Sequence, residues 1–369
     1  MKITNTSPFV AGWTVGFRPD GREIAVIAVK GTFDLETPNG ATEPTIAVKQ
    51  EPLIESDVFG PDPAYDAPVY ENDFGHFKPE CDVLLNAQAY APQGRPSTRV
   101  NVAVIVGDCR KVISVVGERR WYKASRTFGI TSATPFVRQP ISYDLAFGGT
   151  DVHPAEPTRI ETFVKNPVGT GYCRFSQNLD GMPLPTTEEP GTVVSDPEGD
   201  YRPMAFGPIG RNWEPRFRYA GTYDQRWQTE KLPYLPDDFD YHYFQAAPQD
   251  QRIPYPHGGE PIVLANLTPG GRLESSIPRE SVWITVLRSR DRSLEVQAQM
   301  DTLLIEPDKG HLSVTWRVNC PLDRDPFEIR EIVVERGVDR IPARSRARIQ
   351  GKPYYKGLGE AVQSRRGAS

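Results

Sequence analysis

Arg99–Val106 reads RVNVAVIV, and its alternation decides the fold class. Val100, Val102, Val104 and Val106 recur at period two and so share one face of an extended chain, the pattern of a half-buried β-strand. Gly107–Asp108 follows as a hairpin-like turn, and Lys111–Val116 supplies a second β-branched run. Working outward, Glu23–Lys30 (EIAVIAVK), Thr45–Lys49 and Asp82–Tyr90 are short apolar runs bounded by Gly, Pro, Asp or Asn, with Asp20–Gly21 as a turn before the first. Strand signals return at Glu260–Leu267, Ser281–Leu287, Leu294–Glu306, Leu312–Val318 and Ile329–Glu335.

Composition agrees with this reading. The 36 prolines and 31 glycines of 369 residues exceed the roughly 12% of average usage. Proline costs a helix interior about 3 kcal/mol, which excludes bundles, helical solenoids and coiled coils. Aromatic content of 10% excludes a disordered chain. The expected fold is mainly β, with sandwich-like antiparallel sheets, a long irregular central segment rich in Pro, Gly and aromatics, and little helix. Residues 1–130 form an N-terminal β-rich part and 257–335 a C-terminal one. Residues 131–256 wrap the β body, and 336–369 form a basic, exposed tail.

The central segment concentrates the breakers and the rings. Between Tyr201 and Pro256 stand 13 aromatics, with cations interleaved in Trp213–Glu214–Pro215–Arg216–Phe217–Arg218–Tyr219. Rings and guanidinium groups in that order could serve sugars, single-stranded nucleic acid or a protein partner. They could equally be a core rim in which Arg braces irregular loops. The candidate partner surface is Trp213, Arg216, Phe217, Arg218, Tyr219, Tyr223 and Trp227.

Charge and cysteine usage narrow the classes. Net charge is −5, but from Arg336 onward nine Lys/Arg stand against two acids. An acidic body with a basic tail does not suit nucleic-acid binding, which needs a basic surface. Cys81, Cys109, Cys173 and Cys320 form no CxxC spacing, and such scattered thiols suit a reducing compartment. The N-terminus lacks the apolar core of a signal peptide. The longest strictly apolar run, Ile24–Val29, falls far short of the ~20 residues that span a bilayer. A cytoplasmic protein without membrane partners is expected.

No P-loop, HExxH, GxSxG, EF-hand or GxGxxG pattern is present. Gly148–Gly149 and Gly169–Gly171 read as turn glycines. Asp237–His242 offers acidic oxygens and an imidazole but lacks the glycine of a calcium loop, and reads as a solvated turn capping a short helix. The five histidines form no pair at ligand spacing. Glu71 with Asp73, or Asp224 with Glu230, could do glycosidase work only at a suitable separation. The expectation is no enzyme, no cofactor and no metal.

Several segments resemble a bacterial domain-of-unknown-function family described as type VI secretion accessory proteins, encoded beside effector and spike genes. They are DGREIAVIAVKGTFDL (20–35), FKPECDVLLNAQAYAPQGRP (77–96), YDLAFGGTD (143–151) and NPVGTGY (166–172), followed by FGPIGRNWEPRFRYAGTYDQRW (206–227), LPDDFDYHYFQAAPQDQ (235–251) and GGEPIVLANLTPGGRL (258–273). They occur in family order over residues 1–290 or so, with a departure at Asn178–Leu179–Asp180. The resemblance implies a non-enzymatic adaptor or chaperone that binds a toxic effector protein and helps load it onto a VgrG-type spike protein. It supplies no catalytic residues, and the basic tail lies outside it. Two other readings stay open: a carbohydrate-binding or carbohydrate-processing β protein, and a structural component of the secretion apparatus.

Overall fold

The computed structural model describes residues 2–35, 42–63, 65–125, 127–288, 293–323 and 325–337. Within them the chain is mainly β, built of several largely antiparallel sheets, with two short α-helices at Glu214–Phe217 and Gln225–Glu230. The basic tail from residue 338 onward lies outside the described residues. Arg336, its first residue, closes the strand Ile329–Arg336 and pairs with Glu280.

Arg99–Val106 is a strand with the bounds its alternation sets, and its four valines are all buried. It turns through Gly107–Asp108 into Cys109–Val116 in continuous antiparallel register. Gly107 takes φ +54°, open to a residue without Cβ. With Thr187–Glu188, Pro261–Ala265 and Arg272–Ser276 these make a five-stranded sheet. The Asp20–Gly21 turn likewise joins Val10–Phe17 to Glu23–Asp34.

Glu23–Asp34 lies inside a seven-stranded sheet and draws its partners from the far end of the chain. It pairs antiparallel with His311–Pro321 from Ile24↔Pro321 to Asp34↔His311. Beyond His311–Pro321 come Gln299–Glu306, Cys81–Leu85 and Arg252–Ile253. A four-stranded sheet orders Lys2–Asn5, Ile329–Arg336, Val282–Arg288 and Ser293–Gln297, its first pair parallel. The two strand-rich ends are therefore woven together, and a single hydrophobic cluster takes residues from all three sheets.

Two expected strands are each two strands. Leu294–Glu306 breaks at Ala298, where the chain leaves the four-stranded sheet for the seven-stranded one. The apolar alternation runs straight through the crossing, so it hides the break, and Leu294 is exposed. Asp82–Tyr90 breaks at Asn86, whose Nδ2 donates to Val69 O at 3.2 Å. Thr45–Lys49 pairs only over Thr45–Ile46.

The seven-stranded sheet buries both faces by different chemistry. One face enters the main core through Ile27, Val29, Phe33, Val83, Leu303, Val314 and Trp316. The other carries charges under a cover of irregular chain. Lys30 Nζ meets Asp73 Oδ2 at 2.6 Å, and Thr315 Oγ1 donates to Asp73 Oδ1 at 3.0 Å. Arg317 donates to Asp73 O at 2.8 Å and pairs with Asp301 at 2.6 Å. Thr302 Oγ1 donates to Asp301 and accepts from Lys78 Nζ, which pairs with Asp82 at 2.7 Å. Backbone amides of the cover, Ile54 N and Ala246 N, donate to Asp73 and Asp82. Every charge in this layer is paired, as burial without partners would cost several kcal/mol each.

The middle of the chain gives these sheets only Thr187–Glu188 and Arg252–Ile253. Elsewhere it forms short two-stranded pairings, such as Arg138–Ile141 with Ala87–Tyr90 and Thr150–Val152 with Ile160–Thr162, and otherwise runs irregularly. It is held by ion pairs on the buried Glu188, which meets the buried Arg119 at 2.7 Å and the exposed Arg99 at 2.9 Å. No helix among the described residues is long and apolar enough to cross a membrane.

Candidate functional site

The aromatic segment is built in two tiers, the inner one held by charge. Trp213 precedes the one-turn helix Glu214–Phe217, where Pro215 suits the first turn because no amide partner is needed there. Its ring is buried and meets Tyr143 edge-on, centroids 5.4 Å apart. Arg216 is fully buried. Its guanidinium grips Glu71 through Nη1 (3.1 Å) and Nη2 (3.0 Å) and donates to Ile209 O (2.8 Å) and Tyr243 O (2.9 Å). Arg211 bridges Glu71 and Asp57, with Nε 2.6 Å from Asp57 Oδ2. Burial alone would raise the Asp57 carboxyl, but the hydrogen bond and charge of Arg211 outweigh it and hold the group below its usual range.

Trp213 and Arg216 therefore do not belong to an exposed partner surface, contrary to the expectation from sequence. They pin the segment from beneath. An arginine alternating with rings is equally suited to contact a partner or a buried carboxylate, and here Glu71 takes it.

The outer tier faces solvent. Phe217 is 57% exposed and Tyr223 45%, and Arg218 is exposed with its guanidinium 4.9 Å from the Tyr219 ring centroid. Tyr219 and Trp227 are half-buried. Tyr219 lies over His242 at 5.4 Å, and Trp227 meets Tyr223 edge-on at 4.7 Å. Trp227 is fixed twice: its backbone N–H donates to the Asp224 cap at 2.8 Å and its indole N–H to Tyr234 O at 2.8 Å. Of the seven candidate residues, five remain at or near the surface.

Four residues not singled out from the sequence extend this tier. Leu232 is 60% exposed, and Phe17, Phe77 and Tyr234 are also exposed. Phe17 lies 5.9 Å from Tyr234 and Phe77 5.5 Å from Tyr241, so the rings collect around the tip of the Val10–Phe17 hairpin. The signal for Phe17 was its place as the last apolar residue before the Asp20–Gly21 turn; nothing local marks the others.

The acidic stretch is a capping turn, as its sequence suggests. Asp240 accepts from His242 N at 2.9 Å to cap the 3-10 turn Tyr241–Phe244, and Asp238 accepts from Thr222. No group of three metal-ligating side chains stands together among the described residues. The carboxylate pairs considered for glycoside chemistry are engaged elsewhere. Glu71 serves two arginines, Asp73 serves Lys30, Asp224 caps a helix and Glu230 pairs with Arg226. The four cysteines are free and buried.

Residues 20–317 match the protein family described as an uncharacterized protein conserved in bacteria (DUF2169). No curated protein and no solved structure matches the chain.

Proposed function

The chain belongs to this bacterial family, and on that premise we propose that it is a non-enzymatic adaptor that captures a client protein. In its finer form, the client is a type VI secretion effector, handed in the cytoplasm to a VgrG-type spike. One observation carries the reading: the exposed rings of Phe217, Tyr223 and Tyr234 stand on a segment held from below by the Arg216–Glu71–Arg211 cluster, with Phe17 of the neighbouring hairpin beside Tyr234. Preorganised aromatics spend little conformational entropy on binding, and aromatics with Arg are the residue types that dominate interface energetics. The motif at residues 206–227 carries two of these rings, Phe217 and Tyr223.

The test is co-purification with the product of a neighbouring toxin gene, and secretion of that toxin from a deletion strain. Loss of one effector supports the adaptor, whereas loss of all effectors favours a structural part of the apparatus. A toxin that stays soluble and is secreted without this protein refutes the reading. A Phe217→Ser/Tyr223→Ser double variant is expected to change stability by no more than about 1 kcal/mol, since each side chain is largely exposed. The same variant is expected to lose client capture at least tenfold in a pull-down, the scale of one interface hot spot.

A further inference from the structure

A cleft of about 260 Å³ opens over one end of the ionic layer. Phe77, Lys78, Tyr255, Asp301, Arg317 and Asn319 line it. Three features separate it from an ordinary surface hollow. First, the sheet is incomplete here. Pairing of Gln299–Glu306 with Cys81–Leu85 begins only at Thr302↔Asp82, so Gln299 to Asp301 have no ladder partner on that side among the described residues. Second, the register with His311–Pro321 shifts between Met300 and Thr302, which makes Asp301 the extra residue of a bulge. Bulges re-aim a side chain, and this one sets the Asp301 carboxylate against Arg317.

Third, two polar atoms lack partners. Arg317 is only 4% exposed, and its Nε–H finds no acceptor among the described residues. Asn319 Oδ1 is buried and finds no donor among the described residues. The two residues are two apart on one strand and so share a face, about 7 Å along the chain. Unpaired buried groups of this kind cost about 1–3 kcal/mol each, a cost that a ligand can relieve.

Their chemistry selects the ligand. The charge of Arg317 is already met by Asp301 at 2.6 Å and that of Lys78 by Asp82 at 2.7 Å, so neither cation is left to draw an anion. What remains unpaired is one N–H donor and one acceptor on the same face of the strand, the two group types that an amide's C=O and N–H can meet. The aromatic rim continues outward, since Phe77 meets Tyr241 and so joins the exposed ring tier. Gln297 and Gln299 at the mouth are exposed.

We propose that this cleft is an amide-binding anchor, taking one backbone or side-chain carboxamide from an extended segment of the client. The inference rests on the adaptor reading and names the chemistry by which the client is held.

The probe is a capped tripeptide, acetyl-Val-Gln-Val-methylamide, titrated into the full ¹⁵N-labelled chain while the Arg317 Nε–H and Asn319 side-chain resonances are followed. Comparison ligands are its ester analogue lacking the central N–H, acetate and inorganic phosphate. The tripeptide is expected to shift both resonances saturably. The ester should bind about tenfold more weakly, the worth of one hydrogen bond, and the two anions should leave both resonances in place. Asn319→Leu should lose the tripeptide; Asn319→Thr, a smaller change, repeats the test if the first variant does not fold. Saturation by acetate or phosphate overturns the proposal, as does equal binding of the ester or no shift at all. A folded Asn319→Leu chain that loses the tripeptide yet captures client like wild type also overturns it, and leaves the adaptor standing. A wild-type chain that binds the tripeptide but no client refutes the adaptor reading instead.

Discussion

Trp316 and Arg317 are neighbours on one strand, equally buried, on opposite sides of the same sheet. Trp316 packs against Phe9 and Phe33 in a core that excludes water by area alone. Arg317 enters a layer in which each charge needs a named partner. The apolar face tolerates inexact fitting, since dispersion and burial are non-directional. The ionic face does not, because removing one member strands another. What differs between the two sides is the manner in which each is expected to fail.

The sharpest test of the apolar side is Trp316→Ala, expected to cost about 3–5 kcal/mol in urea unfolding through the cavity it leaves. Asp301→Ala should cost about 3 kcal/mol by leaving Arg317 charged and unpaired. The distinguishing step is rescue. Asp301→Leu combined with Arg317→Met should recover most of that loss, whereas no second substitution at Phe9 should rescue Trp316→Ala. If the single charge removal costs under about 1 kcal/mol, the layer behaves like a surface ion pair and the contrast collapses.

A buried cation on the five-stranded sheet extends the comparison to pH. Lys111 is held by Gln251 Oε1 at 2.6 Å and Ala205 O at 2.8 Å, with Asp250 at 3.4 Å. Burial lowers its pKa from 10.5 to about 8, against the pull of Asp250. A base with a depressed folded pKa binds fewer protons folded than unfolded, so stability should rise as pH climbs from about 8 toward 10.5. The full gap corresponds to roughly 3 kcal/mol. The stability difference between wild type and Lys111→Met should change across that window in favour of wild type; a difference independent of pH would remove the buried charge from the account.

The smallest effect is expected at His76, on the covered side beside Gly16 and Phe244. Burial, with Arg317 and Arg211 nearby, lowers its pKa below 6.5 against a hydrogen bond with the Phe17 backbone. Stability is then intact above pH 6.5 and erodes as pH falls toward the folded value, because the unfolded imidazole takes the proton first. Thermal melts of His76→Leu should be flatter than wild type between pH 6.5 and 5. Equal acid sensitivity in the two would place the loss elsewhere.

The main core was legible in the sequence where period two marks a strand's face, as Val100 to Val106 do on the five-stranded sheet. The ionic side was not. Lys30, Asp301 and Arg317 each read locally as a solvent-facing charge in a strand, and only an irregular cover drawn from distant parts of the chain, including Ile54, Asp73 and Ala246, makes this layer internal. Pairing of Glu23–Asp34 with His311–Pro321 was invisible for a related reason, since register between distant strands leaves no mark in either. The ring-rich segment was recognisable as ordered, but its division into tiers was not. Arg216 and Arg218 stand two residues apart among similar neighbours, and only Glu71, distant in sequence, decides which turns inward.

That same long-range pairing bears on how the protein is made. Glu23–Asp34 emerges from the ribosome early, yet the strand that pairs with it from Ile24 to Asp34 begins at His311. At about 5–20 residues per second the apolar EIAVIAV stretch waits roughly 15–60 s with its edge toward His311–Pro321 unpaired. Over that interval a β-prone edge stands open to other nascent chains, and the central sheet closes only near the end of synthesis. A protein whose proposed task is to shelter another chain would itself depend on shelter during its own biogenesis.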